Sequence, residues 1–225
     1  MKRLLLKFKP ITPYVISSSL SSEEKKVEFY FGINPKHKFI PPSTIKGFLR
    51  TAAVYSYSTE SCEFISSTLM MKNGIKPFTL TCADLIDPSN YDQNIRSIIE
   101  QTKKCMQERK VRIPCIICRT FGNTKVRGKM RIVKVTVDSN NESLEGKLEE
   151  ISNLLFSWQL SEENRKALTV ETSKSEIKVE ILCEDDECVE VIKNACEVIN
   201  KGLVRLGRFK SRGFGRLTVE VEEIP

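Results

Sequence analysis

Apolar and polar residues alternate from the start of the chain. Leu4, Leu6 and Phe8 fall on one side, and Leu5, Lys7 and Lys9 on the other. A period of two marks a strand with one buried face, here about residues 3–9. A polar connection, SSSLSSEEKK, precedes a second apolar run, VEFYFGI. After Pro41 and Pro42 the period changes. Ile45, Phe48, Leu49, Ala52 and Ala53 recur at helical spacing, predicting an amphipathic helix that Ser43 or Thr44 caps and that runs to about Tyr57. Residues 58–126 give no clear period and read as irregular. The pattern then resumes with a strand in GKMRIVKVTVD, carried by Met130, Ile132, Val133, Val135 and Val137. Leu144, Leu148, Ile151, Leu155 and Trp158 predict a helix over 144–160. SEIKVEILC is a strand with Ile177, Val179 and Ile181 on one face. A helix follows from about Asp186 to Leu203, with Cys188, Ile192, Ala195, Cys196 and Ile199 inward. RLTVEVEEI closes the chain as a strand.

The firm elements therefore run strand, helix, strand, strand, helix, strand. This predicts an α+β fold with a ferredoxin-like βαββαβ core, the architecture of many RNA-binding domains. One domain is expected, with core elements over about 1–57, 127–138 and 174–225. Large insertions fill 58–126 and 139–173. No apolar run approaches the ~20 residues that a bilayer requires. Lys7 interrupts the run Leu4–Leu6, so neither a span nor a signal peptide is predicted and a cytoplasmic location is expected.

Charge changes the picture at two places. The chain carries a formal +7, which favours an anionic partner. RLGRFKSRGFGRL, between the last helix and the last strand, concentrates this excess: Arg205, Arg208, Lys210, Arg212 and Arg216, with Gly207, Gly213 and Gly215 between them and no acid. Glycines permit positive φ and let backbone amides approach an anion closely. Phosphates would neutralise the cluster and release counterions. RGFG matches half of an RNP1 pattern, but Arg216 replaces the aromatic and the position is wrong, so RNP1 is rejected. The second place is IPPSTIKGFLR, where Lys46 and Arg50 stand at i and i+4. Like charges at that spacing cost about 0.2–0.5 kcal/mol unless an anion lies between them. On spacing alone, two solvated side chains explain the pair equally well.

The eight cysteines lack a secretion context, so metal binding or core packing is expected rather than disulfides. Cys115 and Cys118 form a C-x₂-C pair, with Cys105 ten residues earlier. Thiolates so spaced suit part of a tetrahedral Zn²⁺ site. The fourth corner is open among Cys62, Cys82 and His37, with Cys62 as the working choice. Cys183, Cys188 and Cys196 fall on strand and helix positions and read as small core residues.

Three stretches in order, FIPPSTIKGFLR, PCIICRTFGN and RLGRFKSRGFGRL, resemble the RAMP superfamily of CRISPR effector proteins, most nearly the backbone subunits of type III complexes. The resemblance covers about residues 39–223. It implies a ferredoxin-like core, a β-rich thumb in the second insertion, and head-to-tail assembly along a CRISPR RNA that pairs with target RNA. It also implies partner subunits, a role in antiviral defence, and structural zinc at the cysteines. Lys46, Arg50 and the loop from Gly207 to Gly215 would then hold the guide backbone. The acidic residues of 139–163, six against Lys147, suit subunit stacking.

One departure bears on activity. Cleaving members of the family carry an aspartate just before the IPPSTIKG-type motif, and residues 10–42 contain none. Glu23, Glu24 and Glu28 are distant in sequence, and His37 is the sole histidine. A non-cleaving subunit is the first expectation. An RNA-cutting member, slicing targets or processing guides, is the alternative, and a free-standing zinc-bearing RNA binder is a third reading.

Overall fold

A computed structural model describes residues 1–16, 26–27, 40–137, 144–147, 169–208 and 210–225. Its main sheet has four antiparallel strands: β1 (Lys2–Pro10), β3 (Met130–Val137), β6 (Ile177–Cys183) and β7 (Leu217–Ile224), ordered β3-β6-β1-β7. Counting core strands only, that order is second, third, first, fourth, as in a ferredoxin-like sheet. The alternation at the N-terminus does what it predicts. Leu4, Leu6 and Phe8 are fully buried beside Ile177, Val179, Ile181, Leu217 and Val219. On the other face Lys7 pairs with Glu222 at 2.5 Å and Lys9 with Glu220 at 2.7 Å. In β3 the register against β6 shifts between Ile132 and Lys134, leaving Val133 half exposed. This bulge keeps Met130, Ile132, Val135 and Val137 against the core.

Helices α1 (Pro42–Ser56) and α6 (Asp186–Asn200) cover one face of the sheet. Helix α1 begins two residues earlier than a Ser43 cap predicts, and three earlier than a Thr44 cap. Pro41 is the N-cap and Pro42 occupies the first turn, with no side-chain cap from Ser43 or Thr44. Proline at that position lacks only an amide that would be unpaired anyway. The predicted inward face of α1 is buried throughout. Asp185 caps α6 by accepting from the Cys188 amide.

The segment 58–126 is helical rather than irregular. It holds α2 (Cys62–Lys72), α3 (Cys82–Ile86), α4 (Gln93–Glu108) and α5 (Ile116–Phe121). Ser61, Thr81 and Asp92 cap the first three, and Thr81 with Asp84 forms a capping box. Ile95, Ile98, Ile99, Thr102 and Met106 give α4 a buried stripe. Helix α5 is tied to the start of α6: Arg119 and Lys129 both reach Glu187, at 2.5 and 2.9 Å, and Lys129 reaches Asp185 at 2.5 Å.

A second, small sheet orders β2 (Lys26–Val27), β5 (Thr169–Thr172) and β4 (Leu144–Lys147). This corrects the helix expected over 144–160 at its first turn. The backbone of Leu144–Lys147 pairs antiparallel with Thr169–Thr172. Residues 148–168, with the rest of the expected helix and its acids Glu149 and Glu150, lie outside the described residues. So does most of VEFYFGI. Among the described residues, no helix is long and apolar enough to cross a membrane.

Candidate nucleic-acid interface and metal centre

The basic glycine loop is built onto the segment after β1. The Arg208 amide donates to the Val15 carbonyl at 2.9 Å, and the Gly215 amide to the Pro13 carbonyl at 2.8 Å. The Leu206 amide donates to the Gly215 carbonyl at 2.8 Å, closing the loop's base. Thr12 Oγ1 donates to the Gly213 carbonyl and accepts from the Arg216 amide. The close approach demands glycine at two points. A Cβ on Gly207 would stand 2.1 Å from Val15 O, and one on Gly215 would stand 1.9 Å from Leu206 O, each at positive φ. Phe214, Leu206 and Val204 anchor the loop in the interior. The described backbone of the loop is thus tied down at its base. Lys210 and Arg216 are exposed, and Arg205 and Arg208 half buried. Arg205 Nη1 donates to the Lys210 carbonyl at 3.0 Å. Among the described residues, no carboxylate pairs with Arg205, Arg208, Lys210 or Arg216. The Arg212 side chain and Phe209 lie outside the described residues.

Lys46 and Arg50 part company. Lys46 is half buried on α1, and its ammonium is held below the ordinary lysine range by burial and by the Arg50 charge. Arg50 turns inward, onto Glu63, rather than standing free beside Lys46. Its Nε donates to Glu63 Oε1 at 2.7 Å, and its Nη2 reaches the same oxygen. Its Nη1 donates to the Gly122 carbonyl at 2.6 Å, and Nη2 lies 3.6 Å from Cys118 Sγ. The pair is largely buried, at 18% and 12% side-chain exposure. Freeing the guanidinium for a phosphate would strand Glu63 in the interior, at about 3–5 kcal/mol. No hydrogen bond or ion pair joins Lys46 to the glycine loop among the described residues.

Four cysteines converge: Cys62, Cys82, Cys115 and Cys118, all buried, with sulfurs within 4.8 Å of one another. Cys62 Sγ lies 3.7 Å from Cys118 Sγ and 3.5 Å from Cys115 Sγ. Zn–S bonds of ~2.3 Å in a tetrahedron place sulfurs about 3.8 Å apart, so the residues fit a tetrathiolate ion. A disulfide would need about 2.05 Å. Backbone amides support the sulfurs, Cys115 N donating to Cys82 Sγ at 3.2 Å and Cys82 N to Cys118 Sγ at 3.4 Å. Hydrogen bonds from Cys115, Cys62 and Cys82 hold the Cys118 thiol well below the ordinary range. Hydrogen bonding with Cys115, Cys118 and Cys82, together with burial, pushes Cys62 well above it.

Cys105 is not in the group, and Cys82 takes the place expected for it. The reason is helix polarity. Cys62 and Cys82 are the first residues of α2 and α3, Cys115 is the N-cap of α5, and Cys118 sits in its first turn. Helix starts offer free amides to thiolates. Cys105 lies in the last turn of α4, where unpaired carbonyls disfavour a thiolate.

The family model of the RAMP superfamily matches residues 7–218. The chain belongs to the RAMP superfamily. No curated protein matches it. Among solved structures, a chain of a Type IV-B CRISPR complex aligns with this RAMP protein at 11% identity and TM-score 0.53, covering 98% of this chain and 90% of that one. A chain of the Type III-B Cmr-beta complex bound to cognate target RNA aligns at 16% identity and TM-score 0.48, covering 99% of this chain and 61% of that one. His37 and the stretch before Ile40, where cleaving RAMP members carry an aspartate, lie outside the described residues. A signal for Cys82 was present in this RAMP sequence: T-C-A-D is a capping box, which places the cysteine at a helix start.

Proposed function

We propose that this RAMP protein is an RNA-binding backbone subunit of a type III CRISPR effector ribonucleoprotein. It grips the CRISPR RNA by its phosphates, stacks head-to-tail with other subunits while the guide pairs with target RNA, and holds RNA without cutting it. The observation that carries this reading is the glycine loop. Its backbone is pinned by Val15, Pro13 and Leu206, and its cations have no carboxylate partner among the described residues. A loop tied at its base, whose described cations have no carboxylate partner among the described residues, would bind phosphates with little ordering cost and without reading bases. Family membership and a fold shared with a chain of a CRISPR complex support the setting. Lys46 joins the loop as a candidate phosphate contact, while Arg50 stays inside. The cysteine site is proposed to hold structural Zn²⁺, fastening α2, α3 and α5 beside α1. The absence of aspartate from residues 10–42 supports holding over cutting, because phosphodiester cleavage needs a positioned acid, base or metal ligand.

Co-expression with the remaining subunits and a CRISPR array tests the reading. The chain should co-purify in a large assembly with RNA of uniform length that resists nuclease and dissociates at high salt. A stable monomer that carries no RNA and joins no partner would contradict it.

A further inference from the structure

A tetrathiolate around a divalent ion carries a net charge of −2 and is here fully enclosed, so it needs donors aimed at its sulfurs. Backbone amides supply two of these, to Cys82 and Cys118. The one charged donor within reach among the described residues is Arg50, whose Nη2 lies 3.6 Å from Cys118 Sγ. Its orientation is fixed from two sides. Glu63, the residue after the ligand Cys62, takes Nε at 2.7 Å, and the Gly122 carbonyl, four residues after Cys118, takes Nη1 at 2.6 Å. One side chain of α1 thus touches α2, α5 and the turn that ends α5, all of which carry or adjoin cysteines of the site.

We propose that Arg50 and Glu63 form the outer shell of the metal centre, with Arg50 donating to the Cys118 thiolate, Glu63 holding the guanidinium in place, and the pair locking α1 to the metal site. This rests on reading the four cysteines as a metal site. It assigns to the second charge of the i, i+4 pair a positioning role toward the metal instead of a grip on RNA. Outer partners of this kind commonly change metal affinity 10–100-fold when removed.

The test uses the whole chain loaded with Co²⁺, whose thiolate charge-transfer and ligand-field bands report the sulfurs directly. Affinity is measured by chelator competition. Arg50→Met should lower it about 10–100-fold and shift the charge-transfer band, while Arg50→Lys recovers part of both. Should Arg50→Met fail to fold, the uncharged pair Arg50→Gln with Glu63→Gln replaces it and should show the same loss. Lys46→Met, on the same helix, should leave affinity and spectrum as they are. Wild-type affinity and an unshifted spectrum in the folded Arg50 variants would overturn the inference alone. Failure of the wild-type chain to take up Co²⁺ in four-sulfur geometry would overturn the metal reading, and the inference with it.

Discussion

Replacing Cys118 by serine should abolish tight metal binding and lower the melting temperature by about 10 °C. A hydroxyl is a poor substitute for a thiolate, and Cys118 is the sulfur on which the site's hydrogen bonds converge. Free metal at a thousand times Kd stabilises by about 4 kcal/mol. For a chain of this length each kcal/mol moves Tm by about 2–4 °C. A chelator should reproduce the effect on the wild type and leave the variant unchanged, with stoichiometry read by elemental analysis. The pH dependence follows from the thiols. Cys62 is pushed up, first by hydrogen bonding with Cys115, and Cys82 likewise, so both carry protons at neutral pH that the ion must displace. Cys118 and Cys115 are pushed down, by hydrogen bonding within the cluster. Affinity should therefore rise with pH, because the ion displaces the protons of Cys62 and Cys82. Competition titrations between pH 6 and 8 check the slope.

Gly215→Ala should destabilise the chain by about 2–4 kcal/mol and weaken RNA binding although it removes no charge. The residue is at φ +77°, and its Cβ would stand 1.9 Å from the Leu206 carbonyl oxygen, which the loop's base cannot cede without moving. Gly47→Ala is the control. It lies within α1 with nothing within 4 Å of a Cβ, so alanine there should add about 0.5–1 kcal/mol. Thermal unfolding of the two variants side by side separates backbone strain from a general intolerance of substitution.

How far the sequence could be read depended on what the neighbours of each segment do. The strands and helices of the ferredoxin-like core carry their period openly, because each packs one face on a single interior: Leu4, Leu6 and Phe8 on β1, and Ile45, Phe48 and Leu49 on α1. The insertion 58–126 hid its helices because α2 and α3 are short or nearly uniform in polarity around their axes. Their legible features were caps, at Ser61 and Thr81, rather than stripes, whereas α4 does carry a stripe, through Ile95, Ile98, Ile99 and Met106, that the reading missed. Leu144 misled for the opposite reason. It continues a helical spacing, yet its backbone pairs with Thr169–Thr172, a partner some 25 residues away that a local window does not contain. At the site, C-x₂-C was visible, Cys105 was expected as the third ligand, and Cys82 stood only as an alternative to Cys62 and His37 for the fourth. Sequence proximity favoured Cys105, in the last turn of α4, whereas Cys82 opens α3 beside the other three sulfurs. Arg50 looked like half of a cationic pair because Glu63, which neutralises it, lies 13 residues on and across a turn.

The central claim is that the glycine loop holds RNA through phosphates. The most direct measurement is the salt dependence of single-stranded RNA binding by the chain and by its Arg208→Ala, Lys210→Ala double variant, on several unrelated sequences. If both side chains contact phosphates, the slope of log K against log salt should flatten by about 1.4, at ~0.7 per contact, and affinity should fall by the same factor on every sequence. An unchanged slope, or a loss confined to one sequence, would contradict the claim.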